Sequence, residues 1–348
     1  VKELNYNRLR DKTTGSIVGV FIGDAMGLPL EYKSPNEIKQ LFGYVDTFVS
    51  NEHHTFPNVA KRIAGTISDD SQLTLALMDS INRCKGYDLQ NIVQSHIEAY
   101  NGKWGRRCGW GGSTTFAVEK MKKDEPPYCN PDGAGNGGPM KIAPFAIYCV
   151  YQTLSTTEGR FTDKFNSSLL KKCSEISTLT HGDHRCIVAT YCQCRMIIRA
   201  MQDEMPQISK NIAELFISDA KYAEKHLPEW TGDILETLSS KIHLFLRETL
   251  SMSTPSVSSI ICTEKSSFIL NSYPLVAYCV SKYSPYRNFQ YALTETINAG
   301  ADADSNGAMV GAIMGAQLGF KAIPSDMVRG LSHYQKLMRI TQLFAQSL

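Results

Sequence analysis

Strand-like alternation is scarce in this 348-residue chain, and several other signals are missing with it. Charge of one sign is absent: 36 basic residues face 34 acidic ones, a net charge of +2. That balance gives no basic footprint for nucleic acid or an anionic membrane surface, so neither is expected as a partner. No uninterrupted apolar run of roughly 18 residues stands out, which argues against a membrane span. The opening Val1-Lys2-Glu3-Leu4 carries no signal-peptide pattern. The ten cysteines are scattered, and only Cys192 and Cys194 lie close together, in a spacing that is neither a zinc nor a redox motif. Scattered thiols without a secretory signal predict a reducing, cytoplasmic setting and small buried residues in place of disulfides. No internal tandem repeat is present.

What the chain does have is helical periodicity, from which we read one nearly all-α domain over residues 1–348. Gly15, Gly19 and Gly23 recur every four residues, and Gly307, Gly311, Gly315 and Gly319 do the same. Glycine inside a helix costs roughly 1 kcal/mol against alanine, so a row on one face implies close packing. The two rows are expected to be buried and to pack on each other. Between them lie helix candidates over 86–101, 114–122, 139–151, 186–201, 213–223, 234–250, 271–281 and 289–299, with one or two more over 325–348. Residues 251–267 read as a surface loop. The stretch 32–62 reads as a long polar loop of the kind that covers sites, with His53 and His54 at its surface.

Two acid clusters interrupt this pattern. Ser68-Asp69-Asp70 and Asp302-Ala303-Asp304-Ser305 each place two carboxylates and a hydroxyl at a helix start. Taken singly, each is an N-terminal cap in which Ser68, Asp304 or Ser305 answers free backbone N–H groups. Taken together, four carboxylates brought into one space would repel unless cations joined them. Oxygen-only donors suit Mg2+, Mn2+ or Ca2+ over Zn2+. A glycine-rich loop, Gly133 to Gly138, feeds a helix start, where an ordinary loop and a phosphate cradle are both open, and a separate glycine-rich turn region holds Gly112 and Ser113. Neither has the Gly-Lys-Ser/Thr of a P-loop. His181 precedes another helix start, where a local hydrogen bond and a ligand contact are both open.

In order, Gly23-Asp24 with Gly27 and Glu31, Ser68-Asp69-Asp70-Ser71, Gly135-Asn136-Gly137 with Met140-Lys141, Thr180-His181, and Gly300-Ala301-Asp302-Ala303-Asp304-Ser305-Asn306 resemble the motifs of the ADP-ribosylglycohydrolase family. Its members include the enzyme that reactivates dinitrogenase reductase. The resemblance runs from about Thr13 to Pro324. It implies a compact multi-helix domain holding a central dinuclear Mg2+ site, with Mn2+ as a substitute. It implies Ser68, Asp69, Asp70, Asp302, Asp304 and Ser305 as metal ligands. Gly112, Ser113, Gly135, Asn136, Gly137 and His181 would contact ADP-ribose, and Glu31 would lie at the site mouth. The implied reaction is cleavage of an N- or O-glycosidic bond between ADP-ribose and an acceptor, either a protein side chain or an ADP-ribose polymer, by a monomer. Asp304 or Glu31 would take the proton of the attacking water. Serine for threonine at 68, 71 and 305 keeps the hydroxyl, Lys141 replaces an arginine, and Ala301 replaces a glycine. A metal-poor ADP-ribose binder or crystallin-like relative, and a hydrolase of another ADP-ribosyl or nucleoside-like molecule, are the alternatives. Every carboxylate of the metal set is present, which favours the enzyme.

Overall fold

The computed structural model describes residues 2–130, 133–154, 162–227, 237–258 and 266–348. The helices are α1 (Lys2–Gly27), α2 (Pro35–Phe42), α3 (Pro57–Ala60), α4 (Asp69–Cys84), α5 (Leu89–Tyr100) and α6 (Gly112–Lys122). They continue with α7 (Ala143–Leu154), α8 (Asp163–Thr178), α9 (His184–Met201), α10 (Ser209–His226), α11 (Leu238–Thr249) and α12 (Thr254–Ser258). The chain closes with α13 (Ile269–Tyr283), α14 (Phe289–Ile297), α15 (Ala303–Leu318), α16 (Ser325–Arg329) and α17 (Tyr334–Ser347). Only isolated β-bridges occur among the described residues, so the all-α reading holds.

The glycine rows do what their spacing implies. α1 and α15 run antiparallel in the centre of the molecule. A Cβ on Gly19 would lie 2.1 Å from the Gly311 carbonyl oxygen, and one on Gly315 would lie 2.0 Å from that of Gly15. Backbone therefore meets backbone, and no side chain fits between the two axes. The Ser16 hydroxyl donates to the Ala312 carbonyl across the same seam, 3.0 Å away. α9 and α13 pack on α15, and α7, α8 and α10 pack on α9, around one continuous apolar core. Lys12 ties α1 to the end of α9: its ammonium donates to the Ala200 and Met201 carbonyls, at 2.9 and 3.1 Å. Those are carbonyls that a helix C-terminus leaves unpaired.

Three expectations change. The stretch 32–62 is not one long loop, because it contains α2 and α3, and residues 251–267 contain α12. Ser34 and Glu37 form a reciprocal cap that starts α2, a local signal hidden by the polar composition. α1 supplies the second change. Over Tyr6–Leu30 the chain is long and apolar enough to cross a membrane by composition, yet the apolar part of that stretch is buried in the protein and only its first residues, Tyr6 to Arg8 and Arg10, are exposed. Third, the helix after the second acid cluster starts at Ala303, not Gly307, which puts Asp304 and Ser305 inside its first turn. The helix candidate over 234–250 lies partly outside the described residues, and its described part is α11.

Candidate active site

The α1–α15 seam ends where α4 also begins, and that junction gathers the acids. Ser68 and Asp302 occupy the N-cap positions of α4 and α15, but neither side chain caps its helix. Asp24, in the last turn of α1, caps α4 from outside. Its carboxylate accepts from the Ser68 amide at 2.9 Å, the Ser71 amide at 3.1 Å and the Ser71 hydroxyl. This corrects the cap reading of Ser68. With the helix start already satisfied, the Ser68 hydroxyl is free to donate to Asp70 Oδ2, 3.1 Å away. Asp304 and Ser305 are not caps either, since both are helical.

Two triads of carboxylate oxygens result, each lying within 4.8 Å of one another: Asp24, Asp70 and Asp304, and Glu31, Asp302 and Asp304. Asp304 belongs to both. All of these residues are buried. Burial first, and neighbouring carboxylates second, push Asp69, Asp70 and Asp304 well above the usual carboxylate range. Burial likewise raises Asp24 and Asp302 to about 6. Asp70 Oδ1 is buried with no hydrogen-bond partner among the described residues. An unpaired oxygen beside crowded, desolvated acids is the chemistry of a hard-cation site, and the donor set fits Mg2+ or Mn2+. Asp69 stands outside both triads, its Oδ2 accepting from the Gly111 amide at 3.4 Å.

A cavity of about 420 Å3 opens over the triads. Its lining includes Glu31, Asp69, Asp70, Gly112, Ser113, Gly135, Asn136, Gly137, His181, Asp302, Asp304 and Ser305. Every candidate named from the sequence is therefore here except Ser68, which sits fully buried behind Asp70. Asn136 fixes Asp302: its Nδ2 donates to Asp302 Oδ2 at 2.5 Å and to the Ser272 hydroxyl at 2.9 Å. Ser272 in turn donates to Asn306 Oδ1 at 2.7 Å. Gly137 leaves room for His181, because a Cβ there would come 2.2 Å from the ring.

His181 has an oriented ring. Lys141 Nζ donates to Thr180 Oγ1 at 2.9 Å, and that hydroxyl lies 2.9 Å from His181 Nδ1. An ammonium only donates, and Nδ1 is the one acceptor the buried threonine proton reaches among the described residues, so that proton points to Nδ1 and Nε2 carries the ring proton. Burial, aided by the Lys141 charge, lowers His181 to about 3, so the ring is a neutral donor. Burial lowers Lys141 itself to about 7, opposed by Asp69. The lysine that replaces arginine is thus enclosed and weakly charged.

Sequence reasoning missed His54. It was expected at the surface, but its side chain is fully buried, whereas His53 is exposed. The Phe56 amide donates to His54 Nδ1 at 3.0 Å, which leaves the proton on Nε2, 3.0 Å from Glu31 Oε2. No periodic signal marks a histidine in a loop; only its partner reveals it. The Glu31 segment is also clipped down. Tyr32 N donates to the Ala301 carbonyl at 2.8 Å and Ala301 N to the Lys33 carbonyl at 2.9 Å. Ala301 takes φ 58° to do so, the conformation for which glycine is suited.

Fold and site together define an all-helical protein with a buried, oxygen-only acidic centre beneath a glycine-rich cleft. The chain belongs to the ADP-ribosylglycohydrolase family, whose sequence profile matches residues 5–348. It is 22% identical over 337 residues to the ADP-ribosyl-dinitrogen reductase glycohydrolase of Rhodospirillum rubrum, covering 93% of this chain and 91% of that protein. It is 22% identical over 344 residues to ADP-ribosylarginine hydrolase Tri1 of Serratia proteamaculans, covering 96% and 79%. Among solved structures, an ADP-ribosylglycohydrolase-related protein complex superposes with a TM-score of 0.68 at 18% identity, covering 98% of this chain and 99% of that one.

Proposed function

We propose that the protein is a hydrolase of the glycosidic bond between ADP-ribose and an acceptor, dependent on two Mg2+ ions with Mn2+ as a substitute. The observation that carries this reading is the pair of buried carboxylate triads sharing Asp304. Asp24, Asp70, Asp302 and Asp304, with Ser68, Asp69 and Ser305 beside them, would hold the cations. Bound there, divalent cations orient substrate oxygens and lower the pKa of a coordinated water.

The remaining roles belong to the chain. Asp304 is shared by both triads, so its oxygens would be taken up in holding the cations. Glu31 belongs to one triad and accepts a hydrogen bond from His54. We therefore assign the general base to Glu31, with His54 holding the carboxylate in place. The α6 start at Gly112-Ser113 offers free amides to the diphosphate. His181 Nε2–H and the Gly135–Gly137 loop bound the ribose side. Nearby carboxylates favour the oxocarbenium-like transition state of glycosidic cleavage. We take residues 1–348 as one domain, supported by the continuous core, and the chain as a monomer in a reducing cytoplasmic setting, the reducing setting being supported by nine unpaired cysteines among the described residues.

The test is ADP-ribose release from defined arginine-, serine- and polymer-linked substrates, with Mg2+ and with chelator. Glu31→Gln is expected to lower kcat by about 100-fold or more while ADP-ribose affinity, read by calorimetry, changes little. Wild-type turnover in Glu31→Gln would remove the base assignment. Metal-independent binding without turnover of any linkage would favour an ADP-ribose reader instead.

A further inference from the structure

A second cavity, of about 720 Å3, adjoins the acidic cleft, and Gly109 lines both. Lys61, Arg62, Arg106 and Arg107 line it, and no carboxylate does. None of the four forms an ion pair among the described residues, in a chain whose net charge is only +2. Four like charges around one cavity repel, and an anion relieves that repulsion. Two of them are held in place. The Arg62 guanidinium donates to the Arg107 carbonyl at 3.0 Å, joining the segment after His54 to the 106–110 turn. The Arg107 guanidinium sits 4.0 Å from the Tyr100 ring centroid. Trp110 completes the wall, fixed by its indole N–H donating to Gln72 Oε1 at 2.7 Å.

This is not a counterweight to the buried acids, because those carboxylates accept from Asn136, His54, serines and amides and from none of the four cations. Planar guanidinium forks match phosphate oxygens, and an aromatic wall suits a nucleotide. The cavity has the size of a small-molecule site. The cations cluster in one place, where a long nucleic acid calls for an extended track.

We propose that this cavity is an acceptor-side subsite for a diphosphate group, so that the preferred acceptor is a second ADP-ribose unit joined to the one being released. The inference rests on the hydrolase reading above. In that reaction the anomeric C–O bond breaks, water gives its oxygen to the anomeric carbon, and a proton goes to the departing acceptor oxygen. An arginine acceptor would bring its guanidinium against like charge; a neutral side chain would leave the subsite empty.

The double variant Lys61→Gln, Arg106→Gln changes two exposed side chains that make no hydrogen bond or ion pair among the described residues. Inorganic pyrophosphate, titrated calorimetrically in metal-free buffer, is expected to bind it about tenfold or more weakly than wild type. ADP-ribose release is then compared on an ADP-ribose dimer, a serine-linked peptide and an oligonucleotide carrying ADP-ribose on a terminal phosphate. The variant is expected to raise KM for the dimer by about tenfold, with kcat and the serine peptide within about twofold. Equal pyrophosphate affinity, or an equal loss on dimer and peptide, overturns the subsite. Faster turnover of the oligonucleotide than of the dimer overturns the second-unit assignment. Release from no substrate by wild type defeats the hydrolase reading, and the pyrophosphate comparison then judges the cavity by itself.

Discussion

Thr180 carries one hydroxyl between two buried nitrogens, Lys141 Nζ and His181 Nδ1. Replacing it by valine keeps the shape and strands both partners without access to water. Thr180→Val is expected to cost about 1–3 kcal/mol of stability, measured by denaturant unfolding. It also frees the His181 tautomer, so its histidine ring NMR signals should shift from a single Nε2-protonated form to a mixture. A variant of wild-type stability and unchanged ring signals would show that the hydroxyl does not set the ring. His54→Phe belongs to the same scale: it removes the imidazole donor on Glu31 Oε2. Its kcat per folded molecule is expected to fall about tenfold or more, because the proposed base loses its orientation, with a modest loss of Tm from the Phe56 amide and Glu31 losing their partner. At this scale the sequence is least legible. Asp302, Asp304, Asn136 and His181 stand out because their neighbours in the chain form motifs. Asp24 is visible only as part of Gly23-Asp24, and its capping of α4 depends on a helix 44 residues away. His54 has no local signal at all.

At the scale of elements, the glycine rows are the legible feature, because a four-residue spacing maps onto one helix face before any partner is known. Their pairing in antiparallel register, Gly15 with Gly315 through Gly23 with Gly307, follows from both rows needing the same close approach. Helix ends were less legible. α15 begins four residues earlier than its apolar run because Asp302 and Asp304 suit the positive end of a helix, while their composition reads as a loop. α9 begins at His184, capped by the Asp183 side chain accepting from Arg185 N at 2.8 Å. Gly19→Ala tests the seam. Its Cβ would meet backbone that cannot rotate away. A loss of about 3 kcal/mol or more is expected in denaturant unfolding. Activity per folded molecule should also fall, because α1 and α15 carry Asp24, Asp302 and Asp304 at their adjoining ends. A variant that unfolds like wild type would mean that the two axes can separate cheaply.

For the whole molecule, the buried acids couple folding to protons, and a cation bound in the triads would couple to the same groups. Composition hides this: a net charge of +2 averages a buried acidic centre with an exposed basic cavity. Asp24 and Asp302 titrate near 6 when folded, above the ordinary carboxylate value of about 4, and burial with neighbouring carboxylates also raises Asp69, Asp70 and Asp304 well above that value. Between those limits the folded state binds more protons than the unfolded one. In the absence of divalent cations, stability from these groups is therefore greatest below about pH 4 and is lost as pH rises through 6. Divalent cations bound there would reverse that loss by occupying the site the protons leave, since ligand linkage adds RT ln(1 + [L]/Kd) to the folded state. Thermal unfolding with Mg2+ and with chelator should differ by several degrees near pH 8 and by little near pH 5. Asp304→Asn, which alters both triads at once, should shrink the pH 8 difference more than Asp69→Asn, which alters neither. Equal Mg2+ shifts at the two pH values would mean that the cation does not compete with these protons, and the triads would then be a repulsive core held together by protonation alone.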